Sequence, residues 1–538
     1  MTVARSRQAM GSVPGQEGLT IARNLSTRYL AIAAEIALGL VTLPFNLSHL
    51  GKSAYGLWTL TASVTAYFSV LDLGYSGALV KFVSQYRAKG EPKALNEILS
   101  TVFFVFAACG VFTCLVACGL AYYLPALFHL SPDQVPTGRV VLLITSVNVA
   151  AGMTFSVYGA VINGFQRYDL NNVVGTASGI ITALVNFAVI WMGAGLVGLV
   201  IAITTVRLLT YWIYRANAYR VFQDLRIAPA LVRRDRLREV TAFSVHMAVI
   251  DWANKLNYSM DAVVIGAFLN TAAVAMWAIG QRLAELTQRL ANQLNDILFP
   301  TVVEHDTAAH EERLQRIFVL GTRLSLAAAV PLAGGMMLLA EPLITSWVGP
   351  DYAPSALVLQ LLSAVVIFRV GAATGSTLLK GCGSHRLIAG TNMSAAVVNV
   401  ALSIALVKPL GLAGVAIGTL IPVAFVLAVV VFPAACRRVG LTAIEGYTEA
   451  VWPSVWPAAV MTLYVFATRP LVPHVLIAVA VEYGIAVSLY GLTFLLLAIS
   501  PVERQFYVDK IVALAGLRRT VRPRAFAAAP VDKVSEGA

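Results

Sequence analysis

The chain has 538 residues, 58% of them apolar and only 12% charged, with a mean hydropathy of +0.76. A soluble domain is roughly 45–50% apolar and about 25% charged, so this much apolar surface cannot be covered without a bilayer. A soluble enzyme with one anchor and a disordered regulator are excluded, and a polytopic membrane protein is predicted. The net charge of +12 does not point to nucleic acid either. Lys and Arg sit mostly in short loops between apolar runs, which is how a membrane protein fixes its orientation.

In chain order, residues 1–28 carry four Arg and form a cytoplasmic N-terminal segment. The run that follows is span-length and lacks a small-residue cleavage site, so it reads as a first membrane helix and not as a signal peptide. A span needs about 20 mostly apolar residues. The runs are 29–48, 56–76, 98–124, 140–161, 173–192, 196–214, 241–268, 272–295, 322–340, 353–379, 388–406, 412–435, 451–468 and 474–499. With both termini cytoplasmic, the outside loops hold only Lys52, Arg139, Lys408 and Arg469. Five further cations lie within spans, and the other 30 of the 39 fall inside. One miscounted span would invert every later loop and destroy that asymmetry, so about fourteen spans are predicted. The tail 500–538 is cytoplasmic, first amphipathic and then disordered in composition. The five cysteines lie in or beside apolar runs and suggest buried thiols, with no disulfide framework.

The sequence repeats. LGKSAYGLW from Leu50 resembles LNTAAVAMW from Leu269, Gly164 matches Gly381, and GLVGLVIA from Gly195 resembles GLAGVAIG from Gly411. The offsets nearly agree, so the fold class is all-α with two six-helix repeats plus two C-terminal helices. The units are an N-lobe at 29–217, a basic cytoplasmic linker at 218–240, a C-lobe at 241–435 and spans 13–14 at 451–499. An even number of spans per copy gives both the same orientation, related by an axis along the membrane normal, with a central cleft between lobes.

Charges inside spans mark that cleft. A central charge costs about 2.5–3.5 kcal/mol on insertion scales. In span seven, Asp251, Asn254, Lys255, Tyr258 and Asp261 share one helix face, and in span eight Gln281, Arg282, Glu285, Gln288, Arg289, Asn292 and Asp296 form a stripe. Two amphipathic spans in succession must turn these faces to a watery interior. Asp251 with Lys255, and Arg282 with Glu285, have the spacing to neutralise each other instead. Arg369 has no acid nearby in span ten, whereas Arg207 in span six is near enough the inner surface to snorkel. Glu35 and Glu482 are lone acids, suited either to proton carriage or to an interhelical hydrogen bond. His246 reads as an interfacial histidine. No spacing suits a metal, and no phosphate loop or cofactor motif occurs.

Three segments add a resemblance. LDLGYSGALVKFVSQYRAKGE (Leu71 to Glu91), VINGFQRYDLNN (Val161 to Asn172) and DAVVIGAFL (Asp261 to Leu269) resemble, in order and spacing, polysaccharide flippases of the multidrug/oligosaccharidyl-lipid/polysaccharide exporter superfamily. The resemblance implies a Wzx-type flippase and no enzyme activity. Its cargo would be an undecaprenyl-diphosphate-linked oligosaccharide, moved across a bacterial cytoplasmic (inner) membrane by alternating access. Glycan polymerase and chain-length machinery would be its partners. On that implication Lys255, Arg282, Arg369 and Arg207 would hold the diphosphate, since Arg pairs two phosphate oxygens at once. Asn254, Tyr258, Gln281 and Gln288 would serve the sugars, and Asp251, Glu35 and Asp261 are the candidates for a coupling ion.

Three alternatives are weighed. A cation-coupled drug or metabolite exporter would want an acid-lined cavity, and the in-span cations disfavour it. A glycan polymerase or ligase needs a long external loop, which is missing here. A flippase for the peptidoglycan precursor is the nearest sibling reading.

Overall fold

A computed structural model describes the backbone of residues 14–307, 311–470, 473, 475–499 and 504. The side chains of 14–35, 245–247, 249–251, 253–258, 291–307, 311 and 385 lie outside that description. Every described regular element is helical. The helices are α1 Pro14–Ala66, α2 Tyr75–Lys89, α3 Pro92–Leu127, α4 Gln134–Gly164, α5 Tyr168–Trp191, α6 Gly195–Val221, α7 Arg234–Phe268, α8 Thr271–Thr307 and α9 Glu311–Leu338. There follow α10 Ala340–Val348, α11 Ser355–Gly371, α12 Ala373–Gly381, α13 His385–Phe425, α14 Phe432–Arg438, α15 Ala443–Gly446, α16 Trp452–Val455, α17 Ala458–Thr468 and α18 Leu476–Thr493. Nine described stretches are long and apolar enough to cross a membrane. One of them, Arg386–Arg438, holds two of the expected spans. The expected spans one, seven and eight are helical within α1, α7 and α8, and span two begins in α1; none of the four belongs to that apolar set of described stretches.

Local chemistry sets the breaks. α1 turns at Gly51, whose φ of 76° and ψ of 168° favour a residue without Cβ. The helix of span two stops at Asp72-Leu73-Gly74, where Leu73 (φ 50°) and Gly74 (φ 74°) are left-handed. Asp72 Oδ1 accepts from the Ser76 amide at 2.9 Å and so caps α2 as it starts. The repeat is visible in the backbone as well. Left-handed φ recurs at Gly195 (64°) and Gly411 (58°), and at Gln166 (62°) and Gly383 (79°), the same spacing that the sequence matches have.

Packing divides the helices into two groups. α1 to α6 pack on one another, as do α8 to α14 with the later part of α7, while α17 and α18 lie against α9. α1 joins the groups by packing on α8. At the end that carries the Gly51 and Leu269 turns there is one apolar core for both, with Leu43, Leu60, Ile265, Trp277, Val358 and Leu359. At the opposite end the cores are separate: Leu79, Phe106 and Val157 in one, Phe318, Leu378 and Phe432 in the other. The two lobes are thus joined at one end and parted at the other.

The linker is strapped down. Asn96, Ser100 and Thr101 on α3 bond the backbone of Asp224, Arg226, Ala228 and Arg233. The first turns of α7 then hold to the first lobe through Tyr86 with Glu239, Arg236 with Glu97, and Tyr75 with Thr241.

Candidate functional site

Between the lobes lies a cavity of about 1050 Å³. α5 presents Asn171, Gly175, Ser178, Thr182 and Asn186, recurring every three or four residues and therefore along one face. α1 adds Gly39, Asn46 and Tyr55, α6 adds Arg207 and Tyr211, and α8 adds Gln281, Arg282 and Glu285. Room for Arg282 is made by glycine: a Cβ on Gly39 would stand 2.8 Å from its Nη2. Along α8, Trp277 Nε1 donates to Gln281 Oε1 at 2.8 Å, and Gln281 Nε2 donates to Glu285 Oε1 at 2.8 Å. Glu285 is engaged by that chain, and no ion pair joins it to Arg282 among the described residues. The amide oxygens of Asn46, Asn171 and Asn186 are buried without a hydrogen-bond partner among the described residues. Each is an acceptor able to take a donor such as a hydroxyl.

A second, small space of about 30 Å³ lies on the other side of α8, sharing Gln281 and Glu285 as its wall. It is lined by Asp261, Gln288, Arg369 and Thr419. Thr419 Oγ1 stands 3.4 Å and 3.3 Å from the two Asp261 oxygens and 3.3 Å from Asn399 Oδ1. Ser403 Oγ donates to Asn399 at 3.0 Å, and Arg369 Nη1 is 3.5 Å from Gln288 Oε1. Asp261 is 5% exposed. The volume admits one water or one small ion, amid polar groups fit to hold it.

The sequence-predicted residues therefore separate into three sets. Arg207, Arg282 and Gln281 meet in the large cavity. Arg369, Gln288 and Asp261 come together behind α8, so Arg369 is a neighbour of a buried carboxylate and not part of the cleft wall, because α11 packs on the far face of α8. The side chains of Asp251, Asn254, Lys255, Tyr258 and Glu35, like those of Asn292 and Asp296, lie outside the described residues. Glu482, 3% exposed, accepts from Thr468 Oγ1 at 2.8 Å, the interhelical bond of the two uses foreseen for it. The α5 face and the Asn399–Thr419 pair were not singled out from sequence. Their signal was there, as small and amide residues recurring at helical spacing in otherwise apolar runs.

Two lobes around a polar cavity make up the architecture, and solved structures share this fold. The fold matches "Lipid II flippase MurJ, inward closed conformation" with a TM-score of 0.71, at 15% identity over 90% of this chain and 99% of that one. It matches an inward-facing multidrug resistance MATE family transporter of the MOP superfamily at 0.66, with 14% identity over 76% and 94%. The family model described as polysaccharide biosynthesis protein matches residues 49–357, more than half of the chain. The chain belongs to that family. Among curated relatives, "Probable flippase AglR" of Haloferax volcanii is 20% identical over 494 residues, 90% of this chain and 97% of the relative. "Succinoglycan biosynthesis transport protein ExoT" of Rhizobium meliloti is 23% identical over 386 residues, 70% and 72%. The polysaccharide family expected from the sequence resemblance is borne out, and so is the all-helical membrane fold.

Proposed function

We propose that this protein flips an undecaprenyl-diphosphate-linked oligosaccharide from the inner to the outer leaflet of a bacterial cytoplasmic membrane. In this reading both termini are cytoplasmic, about fourteen spans cross the bilayer, and the end where the lobes part faces the cytoplasm. The observation that carries it is one cavity in which Arg282 and Arg207 accompany amide oxygens short of donors. Arginines lining a cavity suit a diphosphate, and amide side chains suit sugar hydroxyls. The relatives named as a flippase and as a succinoglycan transport protein support the cargo class.

Arg282 and Arg207 are the first contacts for the headgroup, with Lys255 next. Gln281 is a sugar contact, joined by Asn254 and Tyr258. Gln288 and Arg369 instead position the Asp261 cluster, which holds a coupling proton or sodium ion; Asp251 and Glu35 are further candidates for that coupling. Transport then proceeds by rocking of the lobes about the joined end, and the glycan is delivered to polymerase and chain-length machinery.

The test is reconstitution. Purified protein in vesicles loaded with lipid-linked oligosaccharide should expose the glycan to an external glycosidase in minutes, while empty vesicles should not. Glycan that stays protected, with transport of a cationic dye in its place, would overturn the reading in favour of a drug exporter.

A further inference from the structure

Next to the central cavity, one turn further along α6, the first lobe holds a second hollow of about 440 Å³, walled by Phe165, Arg167, Leu170, Asn217, Arg220 and Val221. It forms where the turn between α4 and α5 meets the last turn of α6. Gln166 takes φ of 62°, and the amides of Gln166 and Arg167 bond back to Asn163 and Ile162, which folds the turn tightly against α6. Phe165 is gripped from two sides. Its ring stacks 5.4 Å from that of Phe222, and the Arg87 guanidinium lies 4.8 Å from its centre.

The charges here are few and can be accounted for. Arg167 gives two bonds to Asp169, at 3.0 and 3.2 Å. Asp169 is thereby engaged, and Arg220 is the second exposed cation of the hollow, beside the paired Arg167. A cation in the last turn of a helix also complements the helix dipole, and this alone would make no site. The second observation is Asn217, one turn earlier. It is 9% exposed, lines the hollow, and its side-chain amide makes no hydrogen bond among the described residues. An aliphatic wall of Leu170 and Val221 lies beside these polar groups, and α6 continues away from them with the apolar Leu209, Trp212 and Ile213 exposed.

A cation and an unused amide donor, set above an apolar wall that leads into the bilayer, match the two halves of one molecule. We propose that this hollow seats the phosphate of an anionic membrane phospholipid, with Arg220 and Asn217 on the phosphate and acyl chain along α6. Basic pockets between spanning helices bind such headgroups on the cytoplasmic side, where the cation asymmetry puts this turn. The site is separate from the cargo cavity, and the proposal stands whether or not the chain flips a glycan.

The experiment is native mass spectrometry of the purified full chain titrated with phosphatidylglycerol, with phosphatidylcholine as the neutral comparison. The first phosphatidylglycerol should bind at least about fivefold tighter than phosphatidylcholine, as expected of a charge-assisted contact. Arg220→Gln combined with Asn217→Leu should abolish that preference, whereas Arg220→Lys should retain most of it. Thermal unfolding in phosphatidylcholine reports whether each variant is folded, and Arg220→Gln alone, at an exposed position, serves if the double variant is not. An undiminished preference in the folded Gln variants would overturn the proposal. So would displacement of the lipid by millimolar inorganic phosphate, which would make the ligand a soluble anion.

Discussion

Arg282 and Gly39 are fitted to one another across the seam between the lobes. A Cβ on Gly39 would fall 2.8 Å from the Arg282 guanidinium, which reaches from α8 of the second lobe onto α1 of the first. The cation proposed to meet the diphosphate thus rests on the helix that joins the lobes, and any rocking about the joined end moves it. Gly39→Ala presses on the far end of a flexible side chain and not on backbone, so the protein should fold and reach the membrane in normal amount. Displacing the guanidinium by about 1 Å should still lower flipping severalfold, since misplacement of that size is costly in a positioned site. Wild-type flipping by Gly39→Ala would show that Arg282 needs no fixed position.

Gly56 sets the joined end. A Cβ there would run into the carbonyl oxygen of Thr271, which is backbone and cannot yield cheaply. Beside it, Gln134 bonds both Ser53 and Thr271, and Lys52 Nζ lies 3.4 Å from the Asp351 carboxylate. Gly56→Ala should disfavour this closure by about 1–3 kcal/mol, the usual cost of overpacking. A cysteine at Thr271, 3% exposed in this closure, in a chain freed of its native cysteines, should then react several times faster with an impermeant maleimide. Lys52→Ala should do much less, because Asp351 is 78% exposed and such pairs contribute under about 1 kcal/mol.

If Asp261 carries the coupling ion, Asp261→Asn and Thr419→Val should each weaken the dependence of flipping on the ion gradient without reducing the protein in the membrane. The Asp251→Asn and Glu35→Gln variants complete the series. Gradient dependence intact in all four would leave these groups a structural part only.

The contact that ties α7 to the first lobe should depend on pH. Burial pushes the Tyr86 hydroxyl up to about 12, aided by its hydrogen bond to Glu239. Released, the phenol titrates near 10, so the released state loses its proton first. The contact is therefore at full strength below pH 10 and is lost as pH rises from 10 toward 12. Protection of residues 234–241 from hydrogen exchange, taken relative to the intrinsic base-catalysed rate at each pH, should fall over that interval, and Tyr86→Phe should remove that fall. Protection that stays constant from pH 10 to 12 in the native chain would contradict the assignment.

Much of this fold is legible in the sequence because the bilayer simplifies it. Apolar runs of span length had to be helices, and the matches at Leu50 and Leu269 foretold two turns that the fold brings together at Ser53 and Thr271, 3.3 Å apart. The placement of charges was legible only in part. The period of span eight put Arg282 and Gln288 on one stripe, but a helix between two neighbours divides such a stripe. α1 leaves Arg282 in the cavity, and α11 encloses Gln288 with Arg369. Which neighbour covers which edge depends on contacts far apart in the chain. The α5 face went unread for another reason: Asn171, Ser178 and Asn186 carry no charge and barely disturb the hydropathy of an apolar span.

The central claim is that cations of the cavity carry the diphosphate. Its most direct measurement is the rate at which lipid-linked glycan appears on the outer face of vesicles holding Arg282→Gln, Arg207→Gln and both together, normalised to folded protein. The account predicts at least about a tenfold loss for Arg282→Gln, partial rescue by Lys at that position, and a further loss in the double variant. Flipping at the wild-type rate by the folded double variant would contradict it.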